Sequence, residues 1–288
     1  MGRNLHHYYF KEYFGEKQEE IIDPEDRQNR RKINARLDWM NIKTNKANPR
    51  ILKKRNACLT EGDLLYVIEK PVETNDVFSL EIIYPGLVTG IGINHEATIE
   101  GEFKLGLHFD WTWGMPVVYG SSVKGVLRSS FIAKVEKGKI VEYDDYYLKK
   151  KIPDYDWDQQ SIRLLFNAIF EGKSPENTSI PIYKRDVFFD AVITKADKKG
   201  RILCSDSITP HGDNPLKNPV PITFLKIAPG CQLEFRFKLV PTEIEKEGKV
   251  LTLSPEDKLS LFKEILTTVG IGAKTNVGYG QLKASDGK

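Results

Sequence analysis

The chain has 288 residues, 40% of them hydrophobic with four Trp, enough for one elaborated domain or two small ones with a sizeable core. A formal net charge of only +3 excludes a uniformly basic surface, so any nucleic-acid footprint must be local. Cys58, Cys204 and Cys231 are widely spaced with no C-x-x-C, which argues against a disulfide or zinc framework and fits reduced thiols in the cytoplasm.

No apolar run approaches eighteen residues and the polar N-terminus does not read as a signal peptide, so a soluble cytoplasmic protein without membrane contact is expected. Leu5 to Phe14 is rich in aromatics and reads as a packing segment. His6 and His7 are adjacent, would point apart on a helix and have no obvious carboxylate partner, so no metal site is read there. Asp26 to Arg55 holds eleven Lys and Arg against Asp26 and Asp38, a surplus of nine. It is either an arm that neutralises phosphates without sequence selectivity or a solvated helix-loop. Residues 1–75 are accordingly read as an extension, basic and partly helical, packed on or flexibly joined to a core of residues 76–288. Phe78, Leu80 and Ile82 alternate with Ser79, Glu81 and Ile83, a half-buried strand ended by Pro85-Gly86. His95 to Val118 suggests a hairpin with Phe103, Leu105, Leu107 and Phe109 on one side and Trp111 and Trp113 beside it. Base stacking on such aromatics competes with plain core packing.

Gly120-Ser121-Ser122-Val123-Lys124-Gly125-Val126-Leu127-Arg128 then predicts a helix capped by Ser121 or Ser122. Its apolar face is Val123, Val126, Leu127 and Phe131, continuing to Val135. Lys124 and Arg128 are four apart near its amino end, where unpaired N–H groups and a partial positive charge suit an oxyanion. A solvated basic face is the alternative. The charged, tyrosine-rich stretch at about 137–184, with a helix from Gln159 to Phe170, reads as an insertion. Arg185 to Lys195 is a strand. Asp206 to Pro221 is a loop carrying His211. Ile222 to Ile227 and Cys231 to Val240 are strands. Ser254-Pro255-Glu256-Asp257 is a helix start, with Leu259, Phe262, Ile265, Leu266 and Val269 as the buried stripe.

That helix runs into Gly270-Ile271-Gly272-Ala273-Lys274-Thr275-Asn276-Val277-Gly278-Tyr279-Gly280. A nucleoside-triphosphate loop needs G-x-x-x-x-G-K-[ST] between a strand and a helix. Here Ala273 stands at the required Gly, and the loop follows a helix. A tight helix-to-strand turn explains Gly270 alone; a backbone cradle for nucleic-acid phosphates accounts for the rest. Ignoring insertions, the order strand, helix, strand, strand, helix, strand is the α+β, ferredoxin-like (RRM-like) βαββαβ unit, without the RNP1 aromatics of an RRM.

Gly-Ser-Ser-x-Lys-Gly-x-x-Arg followed far downstream by this glycine-rich loop resembles the RAMP superfamily of CRISPR systems. The form of the loop is similar to that of the sixth-subunit family of type III-B (Cmr) effector complexes. Asp186-Val-Phe-Phe-Asp190, Asp206-Ser-Ile-Thr-Pro-His211 and the stretch Asn218 to Gly230 agree, so the resemblance covers about Phe78 to Lys283. It implies an RNA-binding subunit of antiviral defence, near the 3′ end of a CRISPR guide RNA. Other Cmr RAMP subunits would be its partners, and target RNA would be met indirectly. Candidate RNA-binding residues are Ser121, Ser122, Lys124, Arg128, Gly272, Lys274, Thr275 and Tyr279. His211 joins them as a binding or packing residue rather than a general base. Some relatives cut CRISPR RNA without metal, which leaves a metal-independent endoribonuclease as the alternative. Target cleavage in Cmr complexes belongs to a different subunit, so no catalytic residue, metal or cofactor is expected.

Overall fold

The computed structural model describes residues 4–12, 49–61, 74, 76–90, 101–209, 221–246 and 249–285. Its central strand, β1 (Asp76–Ile82), buries Phe78, Leu80 and Ile82, as a two-residue period requires. β1 lies between β14 (Leu282–Ala284) and β11 (Gln232–Lys238). Beyond β11 follow β8 (Ala191–Lys195), β4 (Pro116–Val118) and β3 (His108–Phe109), with β7 (Val187–Phe188) also pairing with β11. Every pairing in this sheet is antiparallel. With helices packed against it, the chain is an α+β protein.

α3 (Gly120–Ser129) and α6 (Pro255–Val269) contribute Val123, Leu127, Phe262 and Ile265 to the same core as Leu80, Leu233 and Phe235. α6 starts as its sequence dictates. Ser254 Oγ accepts the Asp257 N–H at 3.1 Å, and the Asp257 carboxylate accepts the Ser254 N–H at 3.0 Å. α3 starts earlier than the serines suggested. Gly120 opens the helix because Asp190 accepts its N–H at 2.7 Å, and a Cβ there would lie 2.2 Å from the Phe188 carbonyl oxygen. Ser121 and Ser122 therefore sit in the first turn, not at the cap. The helix also stops at Ser129, and Val135 lies on the hairpin of β5 (Ile132–Glu136) and β6 (Lys139–Tyr143).

Of the stretch His95–Val118, residues 95–100 lie outside the described residues, and the described part does not form one hairpin. Within it β3 and β4 pair with each other, while β2 (Lys104–Leu105) joins a second sheet of β2, β10 (Ile222–Ile227) and β9 (Leu203–Ile208). Gly106 marks the switch between sheets; a Cβ there would lie 2.6 Å from the Leu225 carbonyl oxygen. Another hairpin, β12 (Thr242–Lys246) with β13 (Lys249–Leu253), separates β11 from α6. The inserted region forms α4 (Tyr146–Lys151), α5 (Gln159–Phe166) and a π-helical turn Asn167–Glu171. Leu148, Ile162, Leu165 and Phe170 enter the same core as Phe131 and Phe237, so the region is built into the fold.

At the N-terminal side, α1 (Leu5–His7) and α2 (Pro49–Thr60) place Leu5 and Leu59 in the core, together with Tyr9. The Tyr9 hydroxyl donates to the Phe103 carbonyl at 2.8 Å. Most of the basic run Asp26–Arg55 lies outside the described residues. Among the described residues no helix is long and apolar enough to cross a membrane.

One polar centre is sealed inside this frame. Lys258 of α6 is fully buried, and its ammonium donates to Asp186 Oδ2 (2.7 Å), the Val240 carbonyl (2.6 Å) and Thr242 Oγ1 (2.7 Å). Asp186 Oδ1 accepts the Val240 N–H at 2.8 Å. Burial works against both charges, raising the Asp186 pKa and lowering that of Lys258, while each is held by the other.

Candidate nucleic-acid interface

The glycine-rich loop is locked onto the turn that follows β1. Gly280 N–H donates to the Gly86 carbonyl (2.8 Å), Ala273 N–H to Val88 (2.7 Å) and Ile83 N–H to Gln281 (3.1 Å). Within the loop, Ile271 N–H donates to the Gly280 carbonyl at 2.9 Å. A Cβ at Gly280 would lie 1.8 Å from the Ile271 carbonyl oxygen, and one at Gly272 would lie 2.4 Å from that of Val88. Both glycines also have positive φ. They are required by the chain's packing on itself, so no external phosphate is needed to explain them. What remains for a ligand is the unengaged part. The N–H groups of Gly272, Lys274, Thr275 and Asn276 make no hydrogen bond among the described residues. Lys274 itself is held left-handed at φ +61° and its ammonium has no ion pair among the described residues.

The loop and the amino end of α3 meet across one cleft. About 370 Å³ in volume, it is lined by Thr89, Gly90, His108, Ser122, Gly272 and Ala273. The Ser122 hydroxyl, half-buried, makes no hydrogen bond among the described residues. His108 of β3 stacks nearly flat on Tyr119, with ring centroids 4.7 Å apart and planes at 17°. Its backbone N–H is held by the Thr89 hydroxyl at 2.7 Å. Its Nδ1 is buried and has no partner. Burial lowers the His108 pKa below the ordinary histidine value, which favours the neutral ring at neutral pH. A Cβ at Gly90 would lie 2.6 Å from His108 Nε2, so bare backbone is what lets the imidazole sit there.

The family model of the RAMP superfamily matches residues 79–283, well over half of the chain. The chain belongs to the RAMP superfamily. It is 29% identical over 232 residues to the "CRISPR system Cmr subunit Cmr6" of Pyrococcus furiosus, an alignment spanning 67% of this chain. It covers 64% of that relative, a little under two thirds of its length. Among solved structures, 73% of this RAMP chain aligns with 58% of a chain in a cryo-EM structure of the Type III-B Cmr-beta bound to cognate target RNA (19% identity, TM-score 0.44). The crystal structure of Cmr6 from Pyrococcus furiosus aligns at 17% identity and TM-score 0.38, covering 73% of this chain and 97% of that one.

The other candidate residues of this RAMP domain divide by what they touch. Lys124 and Arg128 lie one turn apart on α3. The Lys124 ammonium sits 5.8 Å above the Phe188 ring. The Arg128 guanidinium lies 4.9 Å above Phe166, with both Nε and Nη2 2.9 Å from Glu171 Oε1. Arg128 is therefore already engaged and must leave Glu171 to reach a phosphate. Ser121 is exposed at the start of the helix, and Thr275 opens the short 3-10 turn Thr275–Val277. Tyr279 is turned inward. Its ring is buried, and its hydroxyl donates to Asp206 Oδ2 at 2.7 Å. That carboxylate also accepts from the Lys226 ammonium. Burial alone would raise the Asp206 pKa, but the bonds from Lys226, Tyr279 and the Ser207 N–H outweigh it and hold the pKa low. Tyr279 thus anchors the loop. His211 lies outside the described residues. Two features carry no assigned role in the sequence reading: His108, one of three histidines that folding could bring together, and Tyr84, which is 84% exposed. On either side of Tyr84, Ile83 and Gly86 bond to the returning end of the loop.

Proposed function

We propose that this RAMP protein is a non-catalytic RNA-binding subunit of a type III-B CRISPR (Cmr) effector complex. It holds the guide RNA by its backbone near the 3′ end, lies beside neighbouring RAMP subunits and meets target RNA only through the guide. The observation that carries this is the meeting at one cleft of the Ser122 hydroxyl on α3 and of the glycine-rich loop, where the N–H groups of Gly272, Lys274, Thr275 and Asn276 make no hydrogen bond among the described residues. Such donors suit phosphate oxygens. Lys274 adds charge on the loop, and Lys124 adds it on another face of α3, over Phe188. Backbone contacts fix the strand's position, while base pairing by the guide reads sequence. The similarity to Cmr6 supports the choice of complex.

The framework for this role is the ferredoxin-like βαββαβ unit. We read it in β1, α3, β8, β11, α6 and β14, whose strands stand side by side in the order β14, β1, β11, β8. The remaining strands and helices are insertions into it. Metal-independent RNA cleavage requires an acid and a base around one phosphate. The cleft lining offers one titratable side chain, His108, which favours holding over cutting.

If Lys124 and Lys274 touch phosphates, Lys124→Ala and Lys274→Ala should weaken guide binding to similar degrees across unrelated RNA sequences. Each should also flatten the plot of log affinity against log salt by roughly 0.7 for a single strand. Unchanged slopes in both variants, with the fold intact, would overturn the proposal. Cleavage of repeat RNA by the protein in chelator would favour the endoribonuclease instead.

A further inference from the structure

The cleft has properties that phosphate binding does not use. Phosphates need donors at the rim, whereas this space is recessed. It is walled by the backbone of Gly90 and Gly272 and contains an imidazole. Its volume, about 370 Å³, is at the small end of ligand pockets, too small for paired strands and suited to one nucleoside. Two polar side chains of the lining make no bond among the described residues: the Ser122 hydroxyl and the imidazole of His108, whose Nε2 edge lies beside Gly90 while its Nδ1 is buried away from the space. The ring is fixed in place by its stack on Tyr119 and by the Thr89 bond to its backbone, so its orientation is set before any ligand arrives.

We propose that the cleft is a subsite for a single unpaired ribonucleotide, whose base or ribose enters between the two glycine walls and bonds to His108 and Ser122. The inference rests on the RNA-binding reading above and adds an occupant to it. A neutral imidazole carries one donor and one acceptor, so it meets hydrogen-bonding edges of more than one base. Entry of the nucleotide would fix the register of the strand without choosing its sequence. The phosphates on either side of it would remain at the rim, within reach of Lys274 and of the free N–H groups of Lys274, Thr275 and Asn276.

The test uses the full chain assembled into its complex with guide RNA carrying one 4-thiouridine, walked along successive positions. Crosslinked peptides are mapped by mass spectrometry, and yields are normalised to the guide retained. At one position the crosslink should fall on the cleft segments around Thr89, His108 or Ser122. Val126 lines the cleft one helical turn after Ser122, so Val126→Phe narrows the space and should reduce that normalised crosslink about tenfold or more. His108→Ala, judged folded by its melting transition, should reduce it as well and serves if Val126→Phe does not fold. Guide retained by the wild type with no crosslink to the cleft, or a crosslink unaltered in both variants, overturns the inference and leaves the phosphate-holding role standing. Guide not retained at all overturns both.

Discussion

Two polar regions of this RAMP domain are finished to different degrees. Around Lys258 every charge is met: three acceptors surround the ammonium, and both oxygens of Asp186 are used. At the cleft, the Ser122 hydroxyl, the His108 ring and the Gly272 N–H are left without hydrogen-bond partners among the described residues, as are the neighbouring N–H groups of Lys274, Thr275 and Asn276. Both lie against α3, α6 or their connections, so the difference is not one of location in a poorly packed part of the fold. Where only stability is at stake, a chain closes its buried polar bonds, because open ones cost free energy. Groups left open next to a closed network mark the place where something else completes them.

The comparison breaks most sharply at Lys258. Lys258→Met should cost about 3–5 kcal/mol in urea denaturation, because it leaves Asp186 buried and unpaired. Replacing Asp186 by Leu in the same protein should recover part of the loss. A single-variant loss below about 1 kcal/mol would mean that the Lys258 centre is not closed in the sense argued.

A smaller effect is expected at Tyr279, which ties the loop to the second sheet. Tyr279→Phe removes a hydrogen bond to a partly exposed carboxylate and should cost about 1–2 kcal/mol. The pH dependence sharpens this. The Asp206 pKa is lower in the folded protein than its ordinary value, so its contribution to stability is complete above that ordinary value. It is lost as pH falls through the lowered one. Without the tyrosine hydroxyl the folded pKa moves back up, so the variant should lose less stability than wild type on acidification below about pH 4. Equal acid sensitivity in the two proteins would place Asp206 outside the network.

The smallest effect is expected at Arg128. Its side chain and that of Glu171 are 40% and 37% exposed, and pairs of this kind contribute about 0.2–1 kcal/mol. Arg128→Ala should therefore barely move the melting temperature. A reduced salt slope for RNA binding in that variant would show that the guanidinium exchanges Glu171 for phosphate; an unaltered slope would confine it to the ion pair.

Much of the frame was legible because its signals are local. Phe78, Leu80 and Ile82 alternate, and the Ser254 and Asp257 capping box sits four residues wide in the sequence. The hairpin of β12 and β13 carried a signal too, with Thr242 and Ile244 buried between exposed Glu243 and Glu245, yet the charged run masked it. The candidate site was half legible. Glycines at 272 and 280 announce a constrained loop, but not whether the constraint comes from a ligand or from the chain; here Val88 and Ile271 supply it. Tyr279 reads in sequence as a surface aromatic because its partner, Asp206, is far away along the chain. His108 is visible in sequence only as one of several scattered histidines, and nothing there places it in a cleft. Its neighbours in the cleft come from the turn after β1, from α3 and from the glycine-rich loop, and only folding brings them together.

The bonds that join Ala273 to Val88 and Gly280 to Gly86 link segments from opposite ends of the RAMP domain. On the ribosome, the early half of the cleft emerges long before the loop that closes it. Until residues 270–284 leave the exit tunnel, β1 lacks its outer neighbour, and the wall of the cleft made by Gly272 and Ala273 does not exist. A nascent chain that has not yet exposed these residues carries only half of the cleft. The second wall is added when the loop and β14 dock on β1.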